Sequence, residues 1–142
     1  ELRMIDLNPL DEDGIELQDM RFLQLFLIWL ASLETEPLGE KGQETAIENQ
    51  KAAARLNWEE TGIRTESGNT VPLTEALQAV LEKMRQTFRE ADGEDKAVLD
   101  YQYEKTADRN RRYAMQVIER YGKAYLKDGI RRAEELQEAF GV

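Results

Sequence analysis

The sequence predicts a mainly α fold with one N-terminal β-strand, and three observations lead there. Phe22 to Leu33 is apolar almost throughout. Leu77, Val80, Leu81, Met84 and Phe88 recur at helical steps, and Ala114, Val117, Ile118, Tyr121 and Tyr125 form a second helical stripe. The 142 residues suit one modest domain, with 29 Asp+Glu against 19 Lys+Arg and a formal net charge of -10. That charge repels a phosphate backbone and an anionic lipid surface, so neither nucleic acid nor membrane is expected as a partner. His and Cys are absent. Their absence excludes a Ser-His-Asp or Cys-His pair, a His- or Cys-ligated zinc site and a disulfide framework within this stretch. Carboxylate, Arg, Lys and Tyr chemistry remains. Glu1 is not an initiator Met and reads as the inside of a strand, so the chain is expected to be a piece of something longer. No basic segment and apolar run of a signal peptide is visible. The longest apolar stretch, Phe22 to Ala31, falls well short of the roughly 20 residues that span a bilayer. A cytoplasmic protein is the expectation.

Taken in order, Glu1 to Leu7 alternates imperfectly and suits a strand whose polar face looks into a cleft. Asn8-Pro9 ends it, because Pro has no N–H for a ladder and restrains the residue before it. Asp11-Glu12-Asp13-Gly14 is a turn, and Asp13 with Glu16 reads as a capping box opening a helix over 14–34. Being apolar nearly all round, that helix is expected to be buried between other elements. Pro37, Gly39 and Gly42 mark a linker before a polar surface helix over 43–56. Gly62, Gly68 and Asn69 mark a loop, with a short hairpin at Gly62-Ile63 and Thr70-Val71. Thr74 is the expected N-cap of a helix over 74–91, closed by Asp92-Gly93. Helical segments over 95–125, one from Asp95 to about Lys105 and one from about Asp108 to Tyr125, and a helix over 130–140 complete the chain, with Gly122 and Gly129 as expected kinks or breaks.

The polar constellation of most interest is Glu1-Leu2-Arg3. Period two places the Glu1 carboxylate and the Arg3 guanidinium on one strand face, about 7 Å apart along the chain. Such a pair can serve a metal and a phosphate together, since carboxylates ligate Mg²⁺ and an Arg fork matches phosphate oxygens. On spacing alone the commoner reading is an exposed ion pair of little energetic weight. Asp11 to Gly14 fails as an EF-hand, because with Gly14 at loop position six Pro9 and Met20 occupy ligand positions. Arg109, Arg111, Arg112, Arg131 and Arg132 could gather an anion, but among so many Glu they read as solvated ion pairs. Tyr101, Tyr103, Tyr113, Tyr121 and Tyr125 read as core packing with hydroxyls at the rim. Trp58 is either an edge-of-core anchor or a lid. The glycines are scattered singly, with no phosphate-cradling loop.

The run ELRMIDLNPL, then Ile15, then RFLQLFLIWLASL, closely resembles a segment of bacterial glutamate-cysteine ligases. In that family it reads Glu-x-Arg-x-x-Asp-x-x-Pro, a turn, and Arg-Phe-Leu-x-Leu-Phe-Leu. The match is strong over Glu1 to Leu33 and looser at Asn57-Trp58, Val71-Pro72-Leu73 and Lys105 to Glu119. It resembles either a stand-alone ligase or the ligase half of a bifunctional glutathione synthase. The resemblance implies the helical C-terminal portion of a glutamine-synthetase-like α+β catalytic domain, in which an antiparallel sheet forms a funnel lined with Mg²⁺-binding carboxylates. It implies ATP-dependent activation of L-glutamate as an acyl phosphate and attack by the L-cysteine amine, giving γ-glutamylcysteine. By position Glu1 is then a metal ligand, and Arg3 contacts the transferring phosphate of ATP. Asp6, on the opposite strand face, is expected to fix the Asn8-Pro9 turn. Leu10 stands where an aromatic is common in the family. Most of the funnel and both amino-acid pockets are expected upstream of Glu1, so the rest of the catalytic domain is the implied partner. The competing class is a non-catalytic helical interaction or oligomerisation module, with the Phe22–Leu33 helix supporting its interface.

Overall fold

The computed structural model describes residues 7–55 and 57–141. Its helices are α1 (Leu17–Ser32), α2 (Glu40–Ala53), α3 (Leu73–Thr87), α4 (Gly93–Ala107), α5 (Tyr113–Tyr121) and α6 (Tyr125–Phe140). A two-stranded antiparallel hairpin, β1 (Gly62–Arg64) and β2 (Thr70–Pro72), lies between α2 and α3. The mainly α class is as the sequence implies. The expected Glu1–Leu7 strand lies, apart from Leu7, outside the described residues. No described helix is long and apolar enough to cross a membrane.

Three helices make the core. Leu25 and Trp29 lie four apart on α1 and so share a face; they meet Leu81 and Met84 of α3 and Val98 and Leu99 of α4. Phe22, Phe26, Val80, Phe88 and Tyr103 pack around them. Burying each such side chain stabilises the fold by about 1.5–3 kcal/mol relative to leaving it in water. The expectation that α1 is buried on all sides is corrected here. Only Leu25 and Trp29 of this helix are buried, and Leu17, Met20, Leu27, Ile28 and Leu30 are exposed. α3 and α4 cover one side of α1, and among the described residues nothing covers the other.

Several boundaries move for local reasons. The Asp13–Glu16 capping box does not form: α1 begins at Leu17, and Glu16 makes no side-chain cap bond. Asp11 organises this turn, its Oδ1 accepting the Asp13 N–H at 2.9 Å. α2 begins earlier than expected, where the Gln43 N–H bonds the Gly39 carbonyl at 3.0 Å. α3 begins at Leu73, directly from β2 and one residue before Thr74, and ends at Thr87. Asp92 then serves as N-cap of α4, accepting the Asp95 N–H at 2.9 Å. The break expected between Lys105 and Asp108 is present, with α4 running on to Ala107 and α5 starting only at Tyr113. Asp108 accepts the Asn110 N–H at 2.9 Å, which diverts the chain into a single 3₁₀ turn before α5. Gly122, at φ +49°, closes α5 as expected. Gly129 breaks nothing and sits inside α6, which starts at Tyr125 rather than Ile130.

The hairpin pairs Gly62 with Pro72, Ile63 with Val71 and Arg64 with Thr70. A Cβ on Gly62 would stand 2.7 Å from Thr70 Cγ2, so any other residue here would require the Thr70 side chain to move. Asn49 of α2 caps the open edge. Its amide donates to the Arg64 carbonyl at 2.7 Å and its Oδ1 accepts the Arg64 N–H at 2.8 Å, as a third strand would.

Candidate functional site

Glu1 and Arg3 lie outside the described residues, as does Asp6. What the structure describes is the turn into which they lead. Asn8 is buried. Its N–H donates to the Gly14 carbonyl at 2.7 Å, its carbonyl accepts the Asp11 N–H at 3.2 Å, and its Oδ1 accepts the Leu10 N–H at 3.1 Å. Gly14 closes the loop at φ +76°, where an L side chain would be strained, and an added Cβ would stand 3.0 Å from Leu7. The turn is thus held by its own backbone, with Asn8 in the role that Asn commonly takes in turns. Two outside contacts reach it: the Tyr121 hydroxyl donates to the Pro9 carbonyl at 3.3 Å, and Arg132 pairs with Glu12 at 2.5 Å. Between the turn and α5–α6 runs an open groove of about 620 Å³, lined by Leu10, Glu12, Tyr121, Tyr125 and Arg132 among others.

A second polar cluster stitches α1 to α4. Arg21 holds Asp95 in a two-pronged pair, Nε to Oδ1 at 2.6 Å and Nη2 to Oδ2 at 3.0 Å. The hydrogen bond to Asp95 raises the Arg21 pKa further above its ordinary value. Towards the other end of α4, Asp19 accepts from Gln102 at 2.8 Å and from Lys105 at 3.1 Å. The Lys105 ammonium is enclosed by the rings of Tyr113 at 3.8 Å and Tyr101 at 4.3 Å, a cation–π cage. Burial pulls the Lys105 pKa below the lysine range, and Asp19 opposes that pull. Burial pushes Tyr113 well above the tyrosine range and also raises Tyr101, whose hydroxyl meets that of Tyr113 at 3.2 Å.

Chemically, a lysine with a depressed pKa is a candidate base or nucleophile. Here it is paired with Asp19 and packed against two aromatic rings, and the groove between the turn and α5–α6 does not open onto it. The cluster is a structural clasp. Arg112 extends it: buried, it donates through Nε to the Lys105 carbonyl at 3.0 Å, pairs with Glu59 at 2.7 Å and stacks on Trp58 at 4.4 Å. That hydrogen bond lowers the Glu59 pKa. Trp58 is therefore an anchor for Arg112.

The arginines do not gather into an anion site. Arg111 pairs with Glu104, Arg131 with Asp128, and Arg132 with Glu12 and Glu135, at exposed positions, while Arg109 donates to the Met115 sulfur. Arg112 departs from the solvated reading because it is buried. Tyr101, Tyr103 and Tyr113 pack partly buried as expected, whereas Tyr125 is half exposed. Sequence reasoning passed over Asp19, Asp95 and Lys105. A signal existed for Lys105: Val98, Tyr101 and Lys105 stand at i, i+3 and i+7, which puts the ammonium on the face that carries the core. Among the described residues no group of three or more His, Cys, Asp or Glu could hold a metal ion.

Comparison with known proteins bears on the segment the structure leaves open. The sequence model of the family described as Glutamate-cysteine ligase matches residues 1–53. The glutathione biosynthesis bifunctional protein GshAB of Listeria welshimeri is 32% identical over 122 residues, covering 84% of this chain. Its counterpart in Listeria monocytogenes is 31% identical over 120 residues, covering 82%. The glutamate–cysteine ligase of Clostridium acetobutylicum is 30% identical over 87 residues, 60% of this chain. The chain spans only 16% of the length of the two Listeria proteins and 18% of the clostridial one. No solved structure matches it. With the Glu1-x-Arg3 pair, the Asn8–Gly14 turn and α1 all inside the matched stretch, and with relatives similar over most of its length, the chain belongs to the glutamate–cysteine ligase family.

Proposed function

We propose that the chain is the C-terminal portion of the catalytic domain of an ATP-dependent, cytoplasmic glutamate–cysteine ligase that makes γ-glutamylcysteine for glutathione. The observation that carries the reading is the Glu1-x-Arg3 pair within the family-matched residues 1–53. In the whole enzyme ATP phosphorylates the side-chain carboxylate of L-glutamate; the L-cysteine amine then displaces phosphate to form the amide. Phosphoryl transfer of this kind depends on positioning and charge neutralisation, work that one Arg and a carboxylate-held cation perform without His. Arg3 is assigned to the phosphate of ATP and Glu1 to Mg²⁺, which when bound would neutralise phosphate charge. One carboxylate does not make a magnesium site, and the described residues offer no acidic cluster to complete it. The fit therefore requires ligands from the rest of the catalytic domain, and the 142-residue chain on its own is inactive.

The test is made in the full-length enzyme. Arg3→Ala is expected to abolish γ-glutamylcysteine formation with the fold intact by circular dichroism; retained activity would overturn the assignment. Turnover by the isolated chain with saturating MgATP, L-glutamate and L-cysteine would overturn the claim that it is incomplete. The exposed apolar side of α1 favours a second reading, a non-catalytic helical interaction module. Full activity in the Arg3→Ala enzyme would favour that reading.

A further inference from the structure

α6 stands apart from the rest of the described fold in how its apolar residues are used. Leu126, Ile130, Ala133, Gln137 and Phe140 follow one another at alternating steps of four and three, the spacing of a helix–helix seam. None is buried: Leu126 is 74%, Ile130 53% and Phe140 76% exposed. The side of α6 that faces the molecule is a different one, carrying Tyr125, Asp128, Arg132 and Glu135 along the groove to the Asn8–Gly14 turn. At about 100° per residue the apolar seam lies more than a third of a turn away from that side and looks into solvent.

The charges on α6 say what covers it. Its first half carries Lys127, Arg131 and Arg132 against the single acid Asp128, and its second half carries Glu134, Glu135 and Glu138 with no base. This order is the reverse of what a helix favours by itself, because the dipole prefers acids at the N-terminus and bases at the C-terminus. An identical helix laid antiparallel supplies the missing match, bringing each basic half beside an acidic half and opposing the two dipoles. A parallel copy would place like charges together. With a net charge of -10, self-association requires such local complementarity.

We propose that the exposed seam of α6 is the interface of an antiparallel homodimer, α6 against α6 of a second copy of this chain. Ile130 packs on Ala133 of the second copy, and Leu126 on the Gln137 layer. In that register Lys127 and Glu134, on the same edge of the seam, face each other across the interface twice by the two-fold axis. Two helices of 16 residues make a small interface, so the dimer dissociates on dilution. The inference is independent of the ligase reading and needs neither ATP nor amino acids.

The experiment is sedimentation velocity of the 142-residue chain from about 1 μM to about 500 μM. Wild type is expected to shift from monomer to dimer across that range. Ile130→Asp and Lys127→Glu are each expected to weaken dimerisation at least about tenfold. Lys127→Glu combined with Glu134→Lys is expected to restore it. The chain has no native Cys, so orientation can be read by cross-linking. Lys127→Cys mixed with Glu134→Cys is expected to give a disulfide-linked dimer, and neither variant alone should. Monomer at every concentration overturns the proposal. So does a dimer that Ile130→Asp leaves unchanged, which would move the contact to another face such as that of α1. Indifference to Lys127→Glu, or cross-linking of Lys127→Cys with itself, overturns the antiparallel register. Lys127→Glu changes an exposed side chain only, so its effect is not a folding failure; circular dichroism checks Ile130→Asp.

Discussion

α1 and α6 are both 16 residues long, and the fold treats them oppositely. α1 buries Leu25 and Trp29 against α3 and α4 and is pinned to α4 by Arg21–Asp95 and Asp19–Lys105. α6 buries none of its residues and reaches the rest of the described chain through exposed polar contacts such as Arg132–Glu12. Apolar periodicity reports that a segment will be helical and which side will seek cover, but it does not name the cover. For α1 the cover is partly in this chain. For α6 the charge order points to another copy.

The sharpest way to break the comparison is truncation on each side of it. Met84 has no exposed surface and contacts the α1–α3–α4 core from its centre. Met84→Ala is expected to destabilise the chain by about 2–5 kcal/mol, the transfer loss plus the cavity. Phe140→Ala on α6 should fall within about 0.5 kcal/mol, measured by urea denaturation at a concentration where the chain is monomeric. Equal losses would mean that α6 shares the core.

Next in size is the clasp at the end of α4. Asp19→Ala removes the carboxylate and leaves the Lys105 ammonium buried between two rings, an unpaired charge with an expected cost of about 3 kcal/mol. Lys105→Met, which leaves no buried cation, is expected to cost clearly less. The same urea titration decides; equal costs would show that the pairing is incidental to packing. This clasp also marks the limit of what the sequence discloses. The three core helices, the place of the hairpin and the Asn8–Pro9 turn were legible, because apolar spacing and turn residues act over a few neighbours. Asp19, Asp95 and Lys105 were not, since their partners lie more than 70 positions away and ordinary helix chemistry accounts for each one singly. The Asp13 box failed for a related reason: Asp11, two residues before it, already held the Asp13 N–H. Spacing singled out Glu1 and Arg3 as a pair, but the roles assigned to them come from the resemblance to a family, because two residues alone do not disclose what stands opposite them.

The clasp has a pH signature. Tyr101 and Tyr113 keep their protons in the fold beyond the pH at which the unfolded chain releases them, near 10. Above that pH the unfolded state binds fewer protons, so stability falls, by at most about 1.4 kcal/mol per pH unit for each tyrosine. Lys105 works the other way: its folded pKa is depressed, so the fold sheds that proton first, and stability rises over the interval from there to about 10.5. Denaturant titrations between about pH 8 and 11 are expected to show a steeper alkaline loss in wild type than in Tyr101→Phe/Tyr113→Phe. Identical slopes would place both hydroxyls in water.

The smallest effect is expected where α6 meets the turn. Arg132 and Glu12 are both well exposed, so their 2.5 Å pair is screened by water and salt, and Arg132→Ala should cost less than about 1 kcal/mol. The turn itself should not loosen, since the Asn8 N–H to Gly14 carbonyl bond and the Asx contact to Leu10 close it without help from α6. Amide hydrogen exchange separates the two: protection of the Asn8 N–H is expected to survive Arg132→Ala and to be lost in Asn8→Ala together with the Leu10 contact. If Arg132→Ala alone releases Asn8, the turn is held from outside. The stretch leading from Glu1 and Arg3 would then be positioned by α6, and an α6 dimer would become a means of acting on it.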